Sequence, residues 1–159
     1  MTFDGLPPAA LAFFAFALLS TAAPLVSVIN LWRFRRKRQP TPTRWPSISV
    51  LKPMAGTEDD LVPNLETHLD IDYPGEWELV LGVRDVNDAA WGPAKAFVDA
   101  HPERARLVLQ EGAPGRNPKV NQLLTLTRHA RGEYIAVTDS GVRAHRGLLR
   151  EHAAALSQE

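Results

Sequence analysis

The sequence predicts an α/β protein: an N-terminal transmembrane helix followed by a domain in which short strands alternate with helices around a mostly parallel sheet. Three observations lead there. A long uncharged apolar run is followed at once by a cluster of basic residues. Beyond it, β-branched apolar runs of four to seven residues alternate with amphipathic stretches, as expected of a sheet with crossover helices. Acidic residues stand within two residues of the ends of two of those runs.

From Gly5 to Trp32 no residue is charged, and Leu11 to Leu19 reads L-A-F-F-A-F-A-L-L. About 20 such residues span a bilayer as a helix. Pro24 falls inside the run and is tolerated in lipid as a kink. Arg33, Arg35, Arg36, Lys37 and Arg38 follow. Positive charge on this side predicts that the rest of the chain is cytoplasmic and the N-terminus outside, an arrangement suited to a bacterial inner membrane. A cleaved signal peptide carries its positive charge before the apolar run, where this chain has Asp4.

Those five residues are part of 18 Lys and Arg that balance 18 Asp and Glu in the 159-residue chain. From position 40 onward 13 basic residues face 17 acidic ones, so the cytoplasmic part is mildly acidic. A nucleic-acid binder carries its basic surplus within the folded domain, and that class is excluded. Cys is absent, which removes disulfides, thiolate metal sites and Cys nucleophiles together.

The Pro-rich segment Gln39 to Pro46 reads as an extended spacer. Expected boundaries are therefore 5–32 for the membrane helix, 33–46 for the basic flank and linker, and 47–159 for the α/β domain. Ile48 to Leu51, ending in Lys52-Pro53, is the first strand. Asp60 then caps a helix with Leu61, Leu65 and Leu69 on one face, before Tyr73-Pro74-Gly75. Trp77 to Val83 is the second strand. A helix capped by Asp88 follows, with Ala90, Ala94, Phe97 and Val98 on its apolar side. Arg106 to Leu109 is the third strand. Asn117-Pro118 starts the next helix, Asn as cap and Pro at the first position, so that Val120, Leu123, Leu124 and Thr127 face the sheet. Tyr134 to Thr138 is the fourth strand, and Leu148 to Leu156 is helical.

Ligands of open α/β sheets bind at the carboxyl ends of the strands. Asp85 and Asp139 stand at two such ends, where one carboxylate can hold a nucleotide's base or ribose and the other a cation on its diphosphate. Each also has a purely local reading as a turn former or cap. Lys119 lies in the first turn of a helix, unfavourable for a cation unless a phosphate sits there, and a solvated surface Lys is the alternative. The loop Gly112 to Lys119 lacks the order of a phosphate loop, and no G-x-G-x-x-G follows the first strand. Ser140 is not in a G-x-S-x-G elbow. His68, His101, His129, His145 and His152 lack metal-ligand spacing and are read as surface residues.

The strings Ser49-Val50-Leu51-Lys52-Pro53, Asn64-Leu65-Glu66-Thr67 with Asp72-Tyr73-Pro74, Val83-Arg84-Asp85, Asn117-Pro118-Lys119-Val120-Asn121 and Asp139-Ser140-Gly141-Val142-Arg143 together resemble ceramide glucosyltransferases, in order and spacing. Hopanoid-modifying glycosyltransferases are similar but fit less well at Asn117-Pro118-Lys119 and Asp139-Ser140-Gly141. The resemblance implies a GT-A fold and inverting transfer of a sugar, such as glucose from UDP-glucose, to a membrane lipid such as ceramide. It implies that Asp85 binds the base or ribose, that Lys119 approaches the donor, and that Asp139 is the metal or diphosphate aspartate for a divalent cation, Mg or Mn. The wider superfamily's D-x-D stands here as Asp139-Ser140-Gly141, which offers the cation one carboxylate. The family's third Asp, the general base, and its Gln/Arg-x-x-Arg-Trp motif do not occur up to Glu159. The expectation is a donor-binding front portion without a catalytic residue of its own, inactive alone. The other class left open is a non-catalytic, membrane-tethered nucleotide-binding or interaction module.

Overall fold

The computed structural model describes residues 7–36, 42, 44–56 and 60–157. Lys37, Arg38, Gln39 to Thr41 and Thr43, assigned above to the basic flank and linker, lie outside the described residues, as do Met1 to Leu6. The chain divides into two units, Met1–Gln39 and Pro40–Glu159.

Among its described residues the first unit holds one helix, α1 (Pro8–Arg36), with Pro24 inside it. Its stretch Pro8–Arg33 is long and apolar enough to cross a membrane. Phe13, Phe16, Leu18 and Leu19 are all exposed. Its few hydroxyls turn back onto the helix: Ser20 Oγ donates to the Phe16 carbonyl at 2.7 Å and Ser27 Oγ to that of Ala23 at 3.0 Å. In hydrocarbon that leaves no hydroxyl donor unpaired.

The second unit follows the expected alternation: β1 (Ile48–Pro53), α2 (Leu61–Leu69), β2 (Trp77–Val83), α3 (Trp91–Ala100), β3 (Ala105–Leu109), α4 (Pro118–His129), β4 (Tyr134–Val137) and α5 (Leu148–Leu156). The strands form one parallel sheet in the order β3-β2-β1-β4. The chain thus builds outward from β1 through β2 to β3, then returns to place β4 on the other side of β1. That reversal makes the carboxyl ends of β1 and β4 the topological switch point, the place where such sheets bind ligands.

Alternation along the strands sorts two cores. Ile48, Val50, Leu79, Leu81 and Val83 point to the face covered by α2, α3 and α5, where Leu61, Leu65, Ala94, Phe97 and Leu149 complete the main core. Leu51 and Val80 point to the opposite face and pack against Leu126 of α4. Gly82 lets α4 come close, because a Cβ there would lie 2.9 Å from the Leu126 side chain.

Three expectations are corrected. Val120, Leu124 and Thr127 are exposed on α4, and Asn121, Gln122, Thr125 and Leu126 are buried instead. Each of those three polar side chains has a hydrogen-bond partner in a loop or at a strand end, and that outweighs its polarity. His68 is not a surface residue but fully buried in α2. Asp88 does not cap α3, whose N-cap is Ala90; its carboxylate accepts instead from Gly56 N at 2.8 Å and Ala90 N at 3.0 Å, tying the loop after β1 to the loop after β2.

Candidate functional site

At the switch point lies an open cleft of about 520 Å³, lined by Pro53 at the end of β1 with Met54 and Ala55 after it, by Asn117 at the cap of α4 with Pro118, Lys119 and Gln122 of that helix, and by Asp139 to Gly141 after β4. The two elements supplying charge to it are positioned by different means. Asn117 caps α4, its Oδ1 accepting from Lys119 N at 3.0 Å and Val120 N at 3.4 Å, so the first turn holds Lys119 at a fixed point. Asp139 follows β4, whose ladder with β1 is prolonged by Thr138 N donating to Leu51 O at 3.0 Å.

Across the cleft Lys119 Nζ donates to Asp139 Oδ1 in an ion pair. The helix dipole disfavours a cation in this first turn, and the carboxylate opposite offsets that. Both side chains remain at least half exposed, at 50% and 63%, so the pair is open to solvent.

The buried polar residues of α4 tie that helix to its surroundings, and one of them, Gln122, also lines the cleft. Asn121 grips the loop before the helix both ways, accepting from Gly115 N and donating to Gly115 O, each at 2.9 Å. Gln122 Nε2 donates to Met54 O at 3.0 Å, fastening α4 to the end of β1. Thr125 Oγ1 accepts from Glu111 N at 2.9 Å.

Asp85 stands at the carboxyl end of β2 and does not line this cleft. Its carboxylate receives Arg84 Nε and Asn87 N, each at 2.9 Å. The Arg84 hydrogen bond, followed by the backbone N–H of Asn87, holds the Asp85 carboxyl below the usual carboxylate range. The carboxylate thus closes an Asx turn, the local reading, and is still partly exposed. The sheet brings Lys119 and Asp139 together; β1 stands between the strands that carry Asp85 and Asp139.

Sequence reasoning missed Lys52, which is fully buried at the end of β1. Its Nζ donates to Asp139 O at 2.6 Å and Val142 O at 3.0 Å. A Lys ending an apolar strand was its only local signal.

Among the described residues no three His, Cys, Asp or Glu side chains cluster as a metal site. A hard cation bridging a diphosphate needs less. Mg²⁺ keeps several waters and is commonly held by one or two carboxylates plus substrate phosphates, a donor set that Asp139 fits.

The model of glycosyl transferase family 21 matches residues 12–159. The chain belongs to that family. Ceramide glucosyltransferase 1 of Caenorhabditis elegans is 33% identical over 114 residues, 71% of this chain and 24% of that protein. The ceramide glucosyltransferase of Komagataella phaffii is 27% identical over 129 residues, 78% of this chain and 25% of that protein. The chain thus spans about a quarter of the length of these relatives.

Among solved structures, a mannosyltransferase from Pyrobaculum calidifontis in complex with GDP-Man and Mn²⁺ superposes with a TM-score of 0.68 at 25% identity, over 91% of this chain and 43% of that one. TarS of S. aureus, residues 1–349 with UDP-GlcNAc, shares the fold at a TM-score of 0.54 and 20% identity, over 70% of this chain and 31% of that one. The family 21 chain accordingly has a GT-A-like α/β fold.

Proposed function

We propose that this chain is the donor-binding portion of a membrane-bound glycosyltransferase that moves a sugar, glucose as first choice, from a UDP-sugar to a lipid such as ceramide with inversion. The observation that supports it most is the pairing of Lys119 with Asp139 across a solvent-open cleft at the switch point of a parallel sheet. A cationic and an anionic side chain so placed can accept a diphosphate and its counter-ion together, Lys119 toward the phosphates and Asp139 toward a divalent cation, Mg or Mn. The cation, when bound, would neutralise charge on the leaving nucleotide. Asp85, one strand beyond β1, is assigned the base or ribose. Helix α1 would hold the unit at the bilayer, where the acceptor resides. The positive flank beginning at Arg33 favours the α/β unit on the cytoplasmic side.

Calorimetry with UDP-glucose and Mn²⁺ tests the reading directly. Binding that requires the metal and disappears in Asp139→Ala supports it. Absence of any nucleotide binding by the wild type overturns it in favour of a non-catalytic interaction module.

A further inference from the structure

Lys52 occupies a position whose neighbours on the same face of β1, Ile48 and Val50, are core residues. Placing an ammonium in that row is costly unless its hydrogen bonds are made. Two of them go to one short turn, to the carbonyls of Asp139 at 2.6 Å and Val142 at 3.0 Å. Asp139 O also accepts from Val142 N at 3.1 Å, so a single carbonyl is held from two sides. The base of Lys52 is itself rigid: Thr138 N bonds Leu51 O on one side, and Met54 N bonds Gly82 O at 2.8 Å on the other. The segment leaving the turn is tied to α2, through Ala144 N to Thr67 Oγ1 at 2.9 Å, and to the loop after it, through Asp72 N to Arg146 O at 2.9 Å. Between the strand and those ties, Lys52 reaches the turn that carries Asp139.

Its charge is felt nearby. His68, buried in the same core, is pushed down to about 4, first by burial and then by Lys52.

We propose that Lys52 is a positioning residue of the donor cleft. Its ammonium clamps the Asp139–Val142 turn, fixes the peptide plane after Asp139, and so aims the Asp139 carboxylate across the cleft at Lys119. The inference rests on the donor-site reading for its consequence but not for its geometry. A group that aims a ligand matters steeply, since displacements of ~1 Å can cost ~100-fold in function.

The test compares four chains in micelles: wild type, Lys52→Met, which keeps the length and loses the charge, Lys52→Arg, which restores the charge, and Leu65→Ala, which damages the same core away from the turn. Two quantities are read, amide hydrogen exchange at Val142, whose N–H bonds Asp139 O, and affinity for UDP with Mn²⁺. Lys52→Met is expected to speed exchange in the turn at least tenfold and weaken UDP–Mn²⁺ binding by about tenfold or more, with Lys52→Arg recovering part of both. Leu65→Ala is expected to change neither while folded. Unchanged exchange in Lys52→Met overturns the proposal, and so does equal loosening of the turn by Leu65→Ala. If the wild type binds no UDP–Mn²⁺, the donor reading falls, while a turn loosened by Lys52→Met still upholds the clamp. Should Lys52→Met not fold, the wild type decides by NMR: scalar coupling from the Lys52 ammonium to the Asp139 and Val142 carbonyls upholds the clamp, and freely exchanging ammonium protons overturn it.

Discussion

On one face of the sheet, Ile48, Val50, Leu79, Leu81 and Val83 meet Leu61, Leu65, Phe97 and Leu149 in a broad apolar layer. On the other, Leu51 and Val80 meet Leu126, and the helix above them turns Asn121, Gln122 and Thr125 inward beside it. Farther along that second face, Ile135 and Val137 of β4 and Val120 and Leu124 of α4 are 44 to 50% exposed. The first face is organised to hold the fold, since apolar burial contributes about 25 cal/mol per Å². The second face gives three of its buried positions to hydrogen bonds that tie α4 to the loop before it and to the end of β1, beside the cleft. Stability and site geometry are thus assigned to different sides of one sheet. Lys52, on the apolar side, is the residue that joins them.

The largest effect should come from the apolar side. Leu65 is fully buried within the broad layer, and Leu65→Ala is expected to cost about 3–5 kcal/mol. Leu126 is equally buried but sits in the small cluster, where the exposed end of α4 can settle toward Gly82, so Leu126→Ala is expected to cost about 2 kcal/mol. Urea unfolding of the two variants measures both. Equal losses would remove the energetic distinction between the faces.

The sequence revealed these faces unequally. Strand positions were legible because β-branched runs are short and bounded, and β2 and α5 were read to the residue. The inner face of α4 was misread for a physical reason. Apolar periodicity selected Val120 and Leu124, whereas partners at Gly115, Met54 and Glu111, brought near only by folding, pull Asn121, Gln122 and Thr125 inward. Lys52 shows the same limit, for the carbonyls that make its burial tolerable lie 87 and 90 residues away. Asp85, Lys119 and Asp139 were picked as strand-end or helix-start residues. Which of them would meet depended on the strand order, and β4 beside β1 matched Asp139 with Lys119.

The next effect sharpens the comparison through pH. His68 Nδ1 donates to Asn64 O at 3.0 Å, and the ring is buried near the Lys52 charge. Its folded pKa of about 4 lies below the ordinary 6.5, so the unfolded chain binds the extra proton first. The stabilisation is therefore complete above pH 6.5 and is lost as pH falls from there toward 4, amounting to about 3 kcal/mol at most by linkage. Unfolding free energies at pH 7 and pH 4.5 for wild type and His68→Gln isolate this part from the carboxylates. If the two chains fall in parallel, His68 is not the apolar face's acid-sensitive point.

The smallest stability effect belongs to the cleft itself, and there it should separate cleanly from function. Lys119 and Asp139 form an exposed pair, and such pairs contribute about 0–1 kcal/mol. Removing Lys119 also relieves a cation from the first turn of α4, where the dipole opposes it. The two changes oppose each other, so Lys119→Met should leave the urea midpoint within about 0.5 kcal/mol of wild type. UDP binding should nevertheless weaken and lose much of its salt dependence, because the charge placed toward the phosphates is gone. A midpoint shift as large as that of Leu126→Ala would mean that the ion pair supports the fold, and the division of labour between the faces would then fail at the cleft.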